Sequence, residues 1–203
     1  MPYGGLLAAE LQAGETLLVS GATGNFGSSA VAVALAMGTG CVIAPGRNQQ
    51  MLDELVRRFG PRVRPVTLVG DEAEDRKKMI GAAPGPIDCV LDLLPPTATT
   101  TAVRAALMTV RPYGRVILMG GVGMLGGTGL DLPYPWIMRN LITIRGQWMY
   151  SPAAVTRLAA LIHAGLLDLT QFSVTAFNLD HANEAVEHAS FNARPFNLTV
   201  IRP

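Results

Sequence analysis

Short runs of apolar, often β-branched residues alternate with longer segments rich in Ala and Leu along most of the chain. This alternation is typical of a parallel sheet, because each pair of parallel strands needs a helical crossover, and the helices then bury both faces. The runs predict six strands, at residues 16–20, 41–44, 63–69, 87–92, 114–119 and 141–147. We therefore expect an α/β fold of the Rossmann type, a doubly wound parallel sheet with strand order 3-2-1-4-5-6.

Helices are predicted between these strands, at residues 25–37, 49–59, 71–80, 97–110, 135–140 and 152–164. The segment 71–80 is rich in charge, which predicts a helix on the surface. After residue 168 the rhythm changes to a strand at 172–177, a helix at 180–190 and a strand at 196–201. The sequence thus predicts a main domain at residues 1–168 and a C-terminal strand–helix–strand segment at 169–203.

The composition excludes several classes of protein. With 203 residues, 49% hydrophobic and 15% charged, the chain can bury a full core and is not disordered. The formal net charge of +1 predicts no basic surface, so we expect no nucleic-acid partner. Charges, Gly and Pro interrupt the apolar runs before the roughly 18 residues of a membrane span, and the N-terminus lacks a signal-peptide pattern. We therefore expect a cytoplasmic protein with no membrane partner, and its two cysteines exclude a disulfide framework.

A glycine-rich turn joins the first predicted strand to the first predicted helix, with the sequence SGATGNFG at residues 20–27. Glycines allow a tight turn and a close approach to a diphosphate, and the free N–H groups at a helix start attract an anion. The spacing is GxxGxxG rather than GxGxxG, and an ordinary turn between strand and helix is the alternative. The predicted nucleotide-binding residues of this turn are Thr23, Gly24, Asn25, Phe26 and Gly27.

The residues after the second strand predict which nucleotide binds. NAD-binding proteins place a carboxylate about 20 residues beyond the glycine turn, where it binds the ribose hydroxyls. Here that position holds Gly46, Arg47 and Asn48, and the first carboxylate is Asp53. A guanidinium can hold a 2′-phosphate by paired, charge-assisted hydrogen bonds. The sequence therefore favours NADP over NAD, although a solvated loop arginine is the alternative.

Ligands of such sheets bind beyond the carboxyl ends of the strands. The loops after the fourth and fifth strands are therefore predicted to flank the adenosine ribose and the nicotinamide, unless they are simple turns. Their candidate residues are Leu93, Leu94, Pro95, Gly120, Gly121 and Val122.

Four segments resemble the medium-chain dehydrogenase/reductase family, which includes zinc-type alcohol dehydrogenases and quinone reductases. They are LQAGETLLV at 11–19, RPYGRV at 111–116, IRGQWMY at 144–150 and LDHANEA at 179–185. The resemblance implies an NADP(H)-dependent oxidoreductase that transfers hydride between nicotinamide and a carbonyl, an alcohol or an activated alkene. A non-catalytic coenzyme-binding module or a truncated remnant is the alternative.

The resemblance begins near Tyr3, so the family's catalytic domain would lie upstream of Met1. We therefore expect that this chain binds no zinc, that it contains no recognisable catalytic residue, and that residues 169–203 correspond to a segment that packs on that domain. The resemblance also implies a phosphate contact by Asn197. Finally, it implies a homodimer through the edge of the sixth strand, from Ile142 to Gln147.

Other chemistries match the sequence less well. Short-chain reductases need a lysine four residues after a tyrosine, and none of the four tyrosines has one. Methyltransferases typically need an acid where Gly46 and Arg47 stand. His181 and His188 are predicted to be about two turns apart on one helix, too far to share a metal ion. Trp148 and Tyr150 are either packing residues or part of an active-site wall.

Overall fold

The six predicted strands form one parallel sheet. The computed structural model describes residues 1–192 and 194–203. The strand order is β3-β2-β1-β4-β5-β6, as predicted, and every neighbouring pair is parallel. The fold is therefore the Rossmann-type α/β fold. Its strands are β1 (Thr16–Ser20), β2 (Cys41–Gly46), β3 (Val63–Thr67), β4 (Ile87–Asp92), β5 (Val110–Leu118) and β6 (Thr143–Gly146).

Helices cover both faces of this sheet. Successive residues of a strand point to opposite faces, so Leu17 belongs to the apolar core under α1, α2, α3 and α7, while Leu18 belongs to the core under α4, α5 and α6. None of the helices in the described part of the chain is long and apolar enough to cross a membrane. The helices are α1 (Pro2–Ala8), α2 (Asn25–Ala36), α3 (Gln49–Phe59), α4 (Glu72–Ala82), α5 (Thr100–Leu107), α6 (Tyr134–Arg139), α7 (Pro152–His163) and α8 (Ala182–Phe191).

The N-terminal helix α1 was not predicted from the sequence. Its two glycines suggest a turn, yet the helix is buried from Pro2 to Leu6. A Cβ atom at Gly4 would overlap the carbonyl oxygen of Met149, which follows β6. Close packing against the rest of the domain, rather than intrinsic helix propensity, therefore stabilises this segment.

The boundary between α5 and β5 differs from the prediction of a helix at 97–110 followed by a strand at 114–119. The helix ends at Leu107, and Val110 already pairs with Ile87 of β4. The register then shifts, and Tyr113 adopts a positive φ of 61° before regular pairing resumes at Arg115. An irregular strand start thus replaces the predicted end of the helix.

The C-terminal segment forms a second, smaller unit. Its strands β7 (Ser173–Asn178) and β8 (Asn197–Arg202) pair in parallel as a two-stranded sheet, and α8 makes the crossover between them. This is the predicted strand–helix–strand segment. The division into a nucleotide-binding domain at 1–168 and a segment at 169–203 stays a prediction.

Phe196 attaches this segment to the main domain. Its side chain is fully buried, with its ring centroid 5.5 Å from that of Phe59 on α3 and 5.9 Å from that of Phe172. The Phe196 N–H donates to the hydroxyl of Ser28 on α2 at 3.1 Å, and the Arg58 guanidinium lies 4.2 Å from the ring centroid. The start of β8 is therefore held against α2 and α3.

Candidate functional site

A cavity of about 570 Å³ opens at the carboxyl ends of β1, β2, β4 and β5. Between β1 and β4 the order of the strands reverses, and ligands of open α/β sheets bind at such a position. We call it the main cavity. Twelve of the fifteen predicted binding residues line it, namely Thr23, Gly24, Asn25, Phe26, Gly27, Gly46, Arg47, Leu93, Leu94, Pro95, Gly120 and Gly121.

The other three predicted residues lie elsewhere, and their roles stay predictions. Asn48 is the N-cap of α3, where its side-chain oxygen accepts from the Met51 N–H at 3.2 Å. Val122 lines a second cavity of about 320 Å³, which shares Gly120 with the main cavity. Asn197 begins β8 and does not line the main cavity.

The glycine turn leaves the N-terminus of α2 open toward the main cavity. Gly21 has a φ of +87°, which favours glycine, and the Gly24 N–H donates to its carbonyl at 3.0 Å. A Cβ at Gly27 would overlap that same carbonyl oxygen. Gly24 is the N-cap of α2, and no side chain in the described residues caps the first turn. The first N–H groups of α2 therefore have no acceptor within the helix and are available to an anion.

Gly46 and Arg47 form the wall beside this turn. A Cβ at Gly46 would lie 2.7 Å from the Thr23 methyl carbon, so this end of β2 approaches the turn more closely than a side chain would allow. Arg47 follows at the rim of the cavity and is exposed. Within the described residues no carboxylate lies within ion-pair distance of its guanidinium. The guanidinium is thus available to an anionic ligand.

The loops after β4 and β5 touch one another across the cavity. The Gly121 N–H donates to the Leu94 carbonyl at 2.8 Å, and a Cβ at Gly121 would lie 2.7 Å from Pro96. A Cβ at Gly120 would overlap a carboxylate oxygen of Asp92. Trp148, which follows β6, also lines the cavity, and its role as a packing residue or as part of an active-site wall stays a prediction.

Asp92 is a buried acid where the three central strands end. Its carboxylate accepts from the Ser20 hydroxyl and, at 3.4 Å, from the Leu94 N–H. Burial raises the pKa of this carboxyl from its ordinary 3.8 to about 6, although both hydrogen bonds act in the opposite direction. The folded protein therefore binds a proton here more tightly than the unfolded chain does.

Replacing Asp92 by asparagine is expected to change how stability depends on pH. Because folding raises the pKa of Asp92, its carboxyl does not destabilise the fold below about pH 3.8, but it does so as the pH rises through about 6. At high pH the ionised carboxylate lowers the free energy of unfolding by about 3 kcal/mol. We expect the free energy of unfolding of Asp92→Asn, relative to wild type, to rise by about 2–3 kcal/mol between pH 4 and pH 8. Urea denaturation at both pH values measures it. A similar rise in the exposed control Asp131→Asn would contradict the assignment.

Sequence reasoning missed the far end of the main cavity, which is lined by Leu68, Asp75, Met79, Ala102, Ala105 and Ala106. The helix predicted at 71–80 was expected to lie on the surface because of its charge, but Asp75 and Met79 are buried. Their spacing of four residues places both on one face of α4. The apolar Met79 was the one signal in the sequence that this face of the helix is buried.

The described residues contain no group of three His, Cys, Asp or Glu side chains that could hold a metal ion. His181 contacts Glu184, with 2.8 Å between the ring nitrogen and the carboxylate oxygen, and His188 contacts the Thr199 hydroxyl at 2.9 Å.

No protein-family model and no curated protein matches the chain. Solved structures do match it. A protein described as an alcohol dehydrogenase from Sinorhizobium meliloti shares 26% sequence identity and a TM-score of 0.75, over 99% of this chain and 52% of that one. The alcohol dehydrogenase of Thermus sp. ATN1 shares 22% identity and a TM-score of 0.77, over 99% and 55%. Acetophenone reductase from Geotrichum candidum, solved with NAD, shares 22% identity and a TM-score of 0.67, over 97% and 52%.

The chain resembles alcohol dehydrogenases. The comparisons confirm the resemblance that the sequence motifs predicted. The similarity covers nearly all of this chain, but the chain spans only about half the length of the solved structures that it matches.

Proposed function

We propose that the main cavity binds NADP(H) and that the chain is the coenzyme-binding part of an oxidoreductase of the alcohol dehydrogenase kind. The observation that carries this proposal is the uncapped N-terminus of α2, which opens into a cavity with Arg47 at its rim. NADP(H) carries two anionic groups, the diphosphate and the 2′-phosphate. The N-terminus of α2 would bind the diphosphate, and Arg47 would bind the 2′-phosphate. The three solved structures reported above support the class of enzyme, since they are described as alcohol dehydrogenases and a reductase, and the reductase was solved with NAD.

The volume and extent of the cavity support the proposal of an extended dinucleotide. It extends from Trp148 after β6 to Met79 on α4, and its volume of about 570 Å³ lies within the roughly 300–1,000 Å³ of small-molecule sites. The bare backbone at Gly27 and Gly46 leaves room for the phosphates and the ribose, where side chains would fill the space. When bound, the nicotinamide would supply the hydride chemistry.

The chain's own residues would hold and orient the coenzyme. The N–H groups at the start of α2 would bind the diphosphate, and Arg47 would bind the 2′-phosphate. The loops at Leu94 and Gly121, tied by their hydrogen bond, would fix the ribose and the nicotinamide face between them. We propose that the groups that select the substrate and transfer the proton lie in a catalytic domain outside this chain, because the solved neighbours are about twice as long.

The affinity for NADPH is expected to depend on Arg47. A hydrogen bond to a charged group contributes about 1.5–3 kcal/mol, so Arg47→Gln should weaken NADPH binding by about 10- to 100-fold. NADH lacks the 2′-phosphate, and its Kd should change less than about threefold. Isothermal titration with both nucleotides measures this. The control is Arg57→Gln, an equal change of charge on the exposed side of α3.

Equal weakening of both nucleotides by Arg47→Gln would contradict the assignment of the 2′-phosphate. A chain that binds neither nucleotide would contradict the proposed function itself. Binding of NADPH, with no turnover of a panel of aldehydes and quinones by the protein, would favour the non-catalytic coenzyme-binding module.

We also propose that two copies pair through β6. This strand is an edge of the sheet, and outside its pairing with β5 its backbone groups are open to another chain. The strand is shorter than the predicted 141–147, and of its residues Ile144 packs on the core. Light scattering at micromolar concentration is expected to give the mass of a dimer, and a monomer mass would contradict the proposal.

A further inference from the structure

The second cavity lies at the carboxyl ends of β4 and β5, between the start of α5 and the glycine-rich loop at residues 120–129. Of the residues that line it, Gly120 and Met124 also line the main cavity. Its volume of about 320 Å³ is near the lower end of the range for small-molecule sites, so a ligand there would be compact. Its wall is mostly apolar and includes Val103, Leu118, Val122 and Leu130, together with Thr100 and Thr128.

Asp92 is the only charged residue among the described residues that line the second cavity, and it does not line the main one. Its Oδ1 accepts from the Leu94 N–H over a long 3.4 Å, and the carboxylate also accepts from the Ser20 hydroxyl. Its Oδ2 occupies the space that a side chain at Gly120 would take, so the glycine lets the carboxylate reach the cavity. A carboxylate has about four acceptor sites, and Asp92 can therefore accept a further donor from a ligand.

The carboxylate of Asp92 lacks a countercharge. In the described part of the chain no basic side chain forms an ion pair with it. Its pKa is shifted by burial and by its two hydrogen bonds rather than by a charged neighbour. A carboxylate buried without a cation is unfavourable, so a ligand that brings a positive charge and N–H donors gains free energy by contacting it. The apolar part of such a ligand gains by burial against Val122 and Leu130.

We propose that the second cavity binds a compact primary amine in its ammonium form, with the ammonium group on the Asp92 carboxylate and an apolar body against Val122 and Leu130. The inference does not depend on the coenzyme, because Asp92 lies outside the main cavity. A neutral ligand of the same size would contact the apolar wall but leave the carboxylate without a countercharge. The site should therefore select the cation.

The test compares benzylamine, a cation at neutral pH, with benzyl methyl ether, a neutral molecule of similar size. Isothermal titration of the wild-type protein without coenzyme is expected to give a Kd of about 1 mM or lower for benzylamine, and binding at least about 10-fold weaker for the ether. Asp92→Asn keeps the shape of the side chain but removes its charge, and should weaken benzylamine binding by about 10- to 100-fold. The control Asp131→Asn removes the same charge just beyond Leu130, where the side chain is 90% exposed, and should leave the Kd unchanged.

The affinity for benzylamine is also expected to depend on pH. The ammonium needs the ionised carboxylate, and the pKa of Asp92 is about 6, so binding should be about 10-fold tighter at pH 8 than at pH 5. Benzylamine stays charged at both pH values. Asp92→Asn should lose this dependence.

Equal affinity of the wild-type protein for benzylamine and the ether, or no binding of benzylamine at 10-fold above about 1 mM, would overturn the inference. This comparison needs no variant, so it decides the matter even if Asp92→Asn does not fold. An unchanged benzylamine Kd in a folded Asp92→Asn would also overturn it. Complete displacement of benzylamine by saturating NADPH would place the amine in the main cavity and overturn it too. Failure of NADPH to bind would contradict the proposed function alone.

Discussion

Alanine at position 27 is expected to weaken NADPH binding by about 5- to 150-fold. A Cβ there would overlap the Gly21 carbonyl oxygen and lie 2.6 Å from its carbon, and both atoms belong to the backbone of the glycine turn. Backbone cannot rotate away as a flexible side chain can, so the turn or the start of α2 must move. Overpacking of this kind costs about 1–3 kcal/mol, which corresponds to about 5- to 150-fold in Kd if the displacement falls on the binding conformation.

The matched control for this variant is Gly81→Ala. Gly81 also lies within a helix, α4, but a Cβ there would meet nothing within 4 Å. This control should bind NADPH like the wild type and be more stable by about 0.5–1 kcal/mol, because alanine favours a helix. Isothermal titration and thermal unfolding of both variants measure the two effects. Unchanged NADPH affinity in a folded Gly27→Ala would show that the turn does not bind the diphosphate.

Phe196→Ala is expected to destabilise the protein by about 3–5 kcal/mol, the usual range for a buried phenylalanine. The ring fills the space between Phe59 and Phe172, and a large part of the attachment of the C-terminal unit depends on it. Phe196 also has a φ of +66°, a conformation that costs a bulky residue free energy and persists only where packing holds it. Alanine keeps the Cβ that makes this conformation unfavourable but loses the packing.

Urea denaturation gives the free energy of unfolding for this variant, and hydrogen exchange of the β8 amides reports whether the unit detaches locally. The control is Phe191→Ala at the end of α8, where the side chain is 79% exposed, and its effect should stay within about 0.5 kcal/mol. Similar effects of the two substitutions would show that Phe196 does not anchor the C-terminal unit.

The pattern of apolar runs predicted the sheet well because its central strands are buried on both faces. β1 and β4 have the predicted bounds, and every residue of β1 is buried. The helix α3 also has its predicted bounds, since its apolar residues recur at helical spacing and Asn48 caps it. These elements are specified by local signals that agree with the tertiary environment.

The errors occur where tertiary contacts override local signals. The glycines of α1 disfavour a helix. At Gly4, however, the carbonyl oxygen of Met149 lies so close that no larger residue would fit. At the start of β5, Val110 pairs with Ile87 and thereby ends α5 early, a long-range contact that no local pattern contains. In the site, the backbone-lined part was predicted from its glycines. The far end with Asp75 was not, because its residues come from the loop after β3 and from α4 and α5, which only the fold brings together.

The glycine turn has a consequence for how such a chain diverges. The groups that we propose to hold the diphosphate are peptide N–H atoms, and every amino acid except proline supplies one. On this proposal, selection on this part of the site would act mainly on where side chains must be missing, as at Gly27 and Gly46. Most other positions can drift as long as the strands stay apolar, which agrees with 26% identity at a TM-score of 0.75. The path of the main chain would then stay similar between related proteins for longer than the amino-acid sequence does.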